Sequence, residues 1–161
     1  MPVPRQKAKI QIISARQSES GEPGDIDENR YKQLIHTVQS VEEIPLKSLA
    51  VIFVDDEYLR NLHREYLNDD SYTDVMTFNL GEAAEIEGEI YISPERVKIN
   101  AEKYRVQISD ELARVIVHGL LHLKGYDDQT PRDRRQMRSK EDEILNAYWK
   151  IEPETFSKGI H

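Results

Sequence analysis

The sequence predicts a single α+β domain over residues 1–161, with a small mixed β-sheet of about four strands packed against about five helices. Three observations predict it. The expected elements run strand, helix, two or three more strands interrupted by one helix, then three helices. The run Leu49 to Val54 (LAVIFV) is continuously apolar and of strand length, as in a strand covered on both faces. From Ser109 to Lys124 the residues are helix formers with apolar side chains almost all round, among them Leu112, Val115, Ile116, Val117, Leu120, Leu121 and Leu123, so this helix is buried.

Each element has its own local reason. Lys9 to Ala15 (KIQIISA) is rich in β-formers between polar flanks and reads as the first strand. Residues 16–27, mostly Ser, Gly, Pro and acid, read as a loop, and both termini are left open to flexibility. Tyr31, Leu34, Ile35 and Val38 recur at helical spacing and predict a helix from about Glu28 to Val41. After the apolar strand, Asp55 and Asp56 are N-cap candidates for a helix carrying Tyr58, Leu59, Leu62 and Tyr66 and ending near Leu67. Thr73 to Leu80 alternates, with Met76, Phe78 and Leu80 on one face, and Glu89 to Ser93 alternates with Ile90 and Ile92 inward; the two predict a hairpin around an acidic loop. Ser93 and Pro94 form an N-cap and N1 pair for a helix to about Tyr104. Thr130-Pro-Arg-Asp133 fits a capping box and starts a last helix to about Trp149.

The chemistry concentrates in His118-Gly-Leu-Leu-His-Leu-Lys-Gly-Tyr-Asp-Asp128. At roughly 100° per residue, Glu111, Arg114, His118 and His122 share about 80° of arc, a polar stripe on an apolar rod. Two His at i and i+4 turn their rings the same way and can share an ion, as in the metalloprotease helix signature. That signature has Glu after the first His; here Gly119 stands there, which weakens a peptidase reading. Gly125 offers a left-handed C-cap that reverses the chain and can bring Asp127 or Asp128 over the stripe. Two His and one carboxylate are a catalytic zinc set with a fourth position for water, and they also suit a non-haem Fe(II) triad. The competing reading is a pair of core histidines satisfied by carbonyls or by Glu111.

Composition narrows the classes further. A chain of 161 residues that is 38% hydrophobic suits one domain with a real core. It has no Cys, so disulfides and thiolate metal sites are excluded and His and carboxylates are the ligands available. No apolar run reaches signal-peptide or transmembrane length, which predicts a soluble, cytoplasmic protein without a membrane partner. The net charge of −8 speaks against nucleic acid when taken alone, but Arg132, Arg134, Arg135, Arg138 and Lys140 cluster directly after the proposed site. Arg134 and Arg135 are candidate substrate contacts, against the plainer reading of a solvated helix face. Glu82, Glu85, Glu87 and Glu89 form an acidic counterpart.

Among the remaining polar residues, Asp74 is a candidate to orient a ligand His or to cap a turn. Glu141, and with it Glu143, is a candidate base on the last helix, against the commoner solvated carboxylate. Arg114, one turn before His118, is a candidate to meet phosphate or to pair with Glu111 within the stripe, and the pair is the favoured reading. His36 and His63 have no partner at ligand spacing and read as surface residues.

At HGLLHLKGYD and at Thr73-Asp-Val-Met-Thr-Phe78 the chain resembles the YbeY endoribonucleases, bacterial single-domain proteins linked to ribosomal RNA maturation, over about Ser48 to Ile144. The resemblance implies a central metal helix and a zinc-dependent hydrolase of single-stranded RNA, with His118, His122 and the residue at 128 as ligands. Ribosomal RNA and the ribosome are the implied partners, with a part in ribosome quality control; Fe2+ or Ni2+ would also suit the ligand set. The family register selects Asp128 over Asp127 as third ligand. Two departures stand out: the family commonly has His at 128, and it commonly has Arg where this chain has Leu67. Two alternatives differ in class, a metallopeptidase-like hydrolase and a non-catalytic ribosome-associated module held together by its metal.

Overall fold

The computed structural model describes residues 7–15, 26–82 and 84–149. Within them the chain runs β1 (Lys9–Ser14), α1 (Glu28–Val41), β2 (Leu46–Phe53), α2 (Asp56–Leu67), β3 (Val75–Asn79), β4 (Ile86–Ile92), α3 (Pro94–Tyr104), α4 (Ile108–Lys124) and α5 (Pro131–Tyr148). Most of the expected loop 16–27, and the terminal segments, lie outside the described residues.

The four strands form one mixed sheet in the order β1-β2-β4-β3. β1, β2 and β4 are mutually parallel, with Ile12 opposite Val51 and Val51 opposite Ile90, while β3 runs antiparallel to β4, with Thr77 opposite Ile90. Strand alternation sends the apolar run of β2 to both faces. Leu49, Val51 and Phe53 join Ile90, Ile92 and the apolar faces of α1, α3, α4 and α5 in the main core. Ala50 and Ile52 face the other way, into a smaller cluster with Leu59 of α2 and with Met76, Phe78 and Tyr91. The continuous LAVIFV run is therefore explained by cover on both sides.

Two expected strands are longer than the apolar pattern alone suggests. β2 begins at Leu46, where Leu46 is buried and Lys47 points to solvent, and it opens opposite Ile86 of β4. β4 takes in Ile86 to Gly88, so Glu87 is, like Glu89, a half-exposed alternate of the strand and not a member of the loop. Leu80 lies beyond the end of β3 and is exposed, contrary to its expected place beside Met76 and Phe78; only its backbone takes part, its N–H donating to the carbonyl of Glu87 at 2.8 Å.

α4 is the central helix, touching β3, β4, α1, α3 and α5. It lies close on β4 because a glycine on each element makes room for a large side chain of the other. A Cβ at Gly119 would stand 2.9 Å from Cδ1 of Ile90, and one at Gly88 would stand 2.7 Å from Cδ1 of Leu123. Gly119, the missing Glu of the peptidase signature, thus fills a packing role against the sheet. α5 closes over α4 at its far end, where Trp149 stacks on Tyr31 at 5.0 Å and donates through Nε1 to Asp110 at 2.7 Å. Buried Glu42, just past α1, accepts from Lys124 and Lys140, at 3.4 and 3.0 Å, and so ties the end of α4 to α5. None of the described helices is long and apolar enough to cross a membrane.

Candidate metal centre

The site is assembled from the polar stripe of α4 and the turn that follows it. Packing on β4 and three helices fixes the axis of α4, so the i, i+4 spacing of His118 and His122 sets their rings side by side, with centroids 4.6 Å apart. Gly125 then ends the helix at φ 120°, a conformation that a residue with a Cβ adopts only under strain. The turn returns Asp128 over both rings. Its position is held from two sides: the Asp128 N–H donates to Oδ1 of Asp127 at 2.8 Å, and Nη1 of Arg134 donates to the carbonyls of Asp128 and Gln129 at 3.3 and 3.2 Å. Thr130 caps α5 directly afterwards, accepting from the Asp133 N–H at 3.0 Å.

Three atoms converge as a result. Nε2 of His122 lies 3.1 Å from Nε2 of His118 and 3.2 Å from Oδ2 of Asp128, and the remaining side, His118 Nε2 to Asp128 Oδ2, is 3.5 Å. Ligand atoms about 2.0–2.1 Å from a tetrahedral ion stand about 3.3–3.4 Å from one another, so this triangle is close to one face of a zinc tetrahedron, and its open side leaves a fourth position. Among the described residues these three form the one His, Asp and Glu group compact enough for a metal ion. Asp127 turns its carboxylate to the turn backbone instead.

Behind the triangle stands Glu141, with only 5% of its side chain exposed. Its Oε2 accepts from Nδ1 of His118 at 2.6 Å and its Oε1 from Arg114 at 3.0 Å. A proton held on Nδ1 leaves the Nε2 lone pair directed at the triangle, the arrangement by which carboxylates orient metal-binding imidazoles. Burial by itself lowers the His118 pKa, but the hydrogen bond to Glu141 and the charges of Glu141, Asp74 and Asp128 outweigh it and leave the ring above its ordinary value. Arg114 also reaches Asp142 at 2.6 Å. Its ion pairs therefore run to α5, and the expected pairing with Glu111 is replaced by one across the helix interface. Helical spacing carried the signal for Glu141: Met137, Glu141, Ile144 and Leu145 form the buried stripe of α5, which puts this one carboxylate on an apolar face. Glu143 lies on the exposed side and pairs with Lys140 at 3.3 Å.

Asp74, at the start of β3, accepts from Asn100 at 3.3 Å and lies in the field of His118. Burial pushes its carboxyl above the ordinary carboxylate range, against the pull of His118. Glu111, one turn before Arg114 on the stripe, is pushed up to about 7, first by burial and then by Asp74 and Glu141, with Arg114 and Arg138 opposing.

Two hollows meet at His118, Asp74 and Asp128. One, of about 320 Å³, lies under α5 and is lined by Asn100, Tyr104, Glu111, Arg114, Arg134 and Arg138 among others. The second, of about 640 Å³, opens between α2 and β3 and is lined by His63, Tyr66, Leu67, Asp69, Phe78 and Asp127, and it includes His122. Arg134 thus lies at the site, whereas Arg135 is exposed on α5 and lines neither hollow. His63 is a groove residue, half-buried and donating from Nδ1 to the Ser71 carbonyl at 3.0 Å, so it is more than the surface residue expected. His36 lines neither hollow.

The sequence model of the family described as "Endoribonuclease YbeY" matches residues 13–149. The chain is 44% identical over 113 residues to Endoribonuclease YbeY of Cytophaga hutchinsonii, spanning 70% of this chain and 79% of that protein. It is 42% identical over 122 residues to the protein of the same name from Flavobacterium psychrophilum, spanning 76% and 87%. A Thermotoga maritima protein solved in solution superposes with a TM-score of 0.55 at 26% identity, covering 87% of this chain and 89% of the other.

Proposed function

The chain belongs to the YbeY endoribonuclease family, and on that premise we propose that it is a zinc-dependent endoribonuclease, specific for single strands, that acts in ribosomal RNA maturation and ribosome quality control in the cytoplasm. The observation that carries the metal part is the triangle of His118, His122 and Asp128 with sides of 3.1 to 3.5 Å, backed by a carboxylate that fixes the His118 tautomer.

These three residues would hold the ion, which when bound supplies Lewis-acid polarisation of a phosphoryl oxygen and activates water. The chain's own groups do the rest. Glu141 holds the His118 ring through Nδ1, and Arg114 balances the Glu141 charge inside the fold. Asp74, raised by burial and set at the meeting of the two hollows, is suited to accept or return a proton at its carboxylate. Arg134 and Arg138 supply positive charge beside the site for the phosphate backbone, taking the part for which the family's Arg is absent at Leu67.

Labelled single-stranded RNA and casein, each incubated with the purified protein with and without chelator, test the reading. RNA should be cut, chelator should stop the cutting, and zinc should restore it, while casein stays intact. Casein turnover would replace the reading with a peptidase. Turnover of neither substrate, with folding unaffected by chelator, would leave a binding module of the ribosome.

A further inference from the structure

The two hollows at His118 differ in kind. The α5 side carries Arg114, Arg134 and Arg138. Both hollows carry carboxylates, Asp74 and Asp128 in common, but on the α5 side Glu111 and Glu141 stand among three arginines, whereas the α2–β3 side has no Lys or Arg in its lining and sets Asp69 and Asp127 beside Tyr66, Leu67 and Phe78. A phosphate group would meet like charge there, whereas the uncharged face of a nucleobase would meet aromatic and aliphatic carbon.

We propose that Tyr66 is a nucleobase-stacking residue, so that the RNA site is polarised: a base of the single strand lies in the α2–β3 groove and the adjoining phosphates lie on the α5 side. This rests on the endoribonuclease reading above. Tyr66 sits in the last turn of α2 and is 60% exposed. It meets Phe78 edge-to-face at 5.1 Å and 70°, and Phe78 in turn meets Tyr91 at 5.6 Å and 88°. The ring is braced from behind while a face stays open, so stacking a base on it costs little side-chain entropy. Leu67, 62% exposed beside it, widens the apolar floor where the family commonly has Arg. On the opposite side, Arg114 is engaged with Glu141 and Asp142, and Arg134 holds the Asp128 and Gln129 carbonyls through Nη1, so Arg138 is the principal arginine facing the hollow for phosphate, with the charge of Arg134 beside it. Because His118, Asp74 and Asp128 line both hollows, a strand crossing from one to the other passes the triangle.

The test uses the zinc-loaded full chain and a short single-stranded RNA carrying 2-aminopurine, whose fluorescence falls when it stacks. Stacking contributes roughly 5- to 150-fold per base, so Tyr66→Ala should weaken binding by that order and lose the fluorescence drop. Tyr66→Phe should keep both. Zinc content and thermal midpoint should match the wild type in both variants. The slope of log K against log salt should stay unchanged in Tyr66→Ala and fall by about 0.7 in Arg138→Ala. The proposal is overturned if Tyr66→Ala binds and quenches like wild type, or if it shifts the salt slope as the arginine variant does. RNA cleavage by wild type with either result sinks this inference alone; a wild-type chain that neither cuts nor binds RNA sinks it together with the endoribonuclease reading.

Discussion

His118 and His122 stand on a helix packed against a sheet and three other helices, whereas Asp128 stands on a turn with about a third of its side chain in solvent. The histidines are positioned by the core. The carboxylate is positioned by a glycine, one hydrogen bond from its own N–H to Asp127, and one arginine. One constellation therefore has a rigid half and a locally built half, and the two halves should fail differently.

The largest expected effect ignores that difference and establishes the site. His118→Ala and Asp128→Ala should each reduce zinc from about one ion per chain to the chelator-treated background, since each removes one of the three proposed ligands. Asp127→Ala, which changes only the turn, should keep its zinc. Metal analysis of the purified variants decides this, and full occupancy in Asp128→Ala would remove the locally built half from the site.

Glu141→Gln probes the rigid half from behind. It keeps the volume and removes the charge that orients His118, so zinc affinity should fall roughly 10- to 100-fold. Titration calorimetry in buffers of different ionisation enthalpy gives a second readout. The raised His118 pKa means that zinc must displace a proton as pH falls through it, so wild type should release more protons below neutrality than the variant. Equal proton release would show that Glu141 does not govern the ring.

Glu111 tests the charge stored along the same helix. Its folded pKa of about 7 lies above its ordinary 4.5, so folding carries no penalty from this group well below pH 4.5, a penalty that grows between pH 4.5 and 7, and the full penalty above 7. Glu111→Gln should therefore be near neutral at pH 4.5 and stabilise by about 2–3 kcal/mol at pH 8. Denaturant unfolding at the two pH values measures it, and a pH-independent difference would contradict it.

The smallest contrast separates the two glycines. Gly119→Ala presses a methyl group onto Ile90 and should cost about 1–2 kcal/mol of stability after the helix-propensity gain. Gly125→Ala meets no neighbour but must hold φ 120°, at about 1–2 kcal/mol. Similar losses of stability should come with different losses of zinc affinity, and only Gly125→Ala should loosen Asp128.

The halves also differed in how far the amino-acid sequence disclosed them. Periodicity found α1 at Glu28–Val41 and the caps of α3 and α5, because those signals are local. The i, i+4 histidines were legible for the same reason. Asp128 needed the family register, since spacing alone left Asp127 equally eligible. The starts of β2 and β4 were hidden because Leu46 and Ile86 become strand residues by pairing with one another. Arg114 was assigned to the wrong partner because its true ones lie on another helix, and the sorting of Arg134 from Arg135 required knowing which way α5 is turned.

The place of β4 between β2 and β3 has a kinetic consequence. It is the last strand in the chain, yet the sheet cannot close without it, and His118, His122, Asp128 and Glu141 all follow it. Pairing of β2 with β4 joins segments far apart in the sequence, the slow kind of contact, and the expectation is that it precedes the docking of α4 and the assembly of the triangle. The proposed zinc ion would then meet a finished scaffold. Refolding should proceed at the same rate with and without the ion, and the ion should act on the unfolding limb alone, slowing escape from the native state.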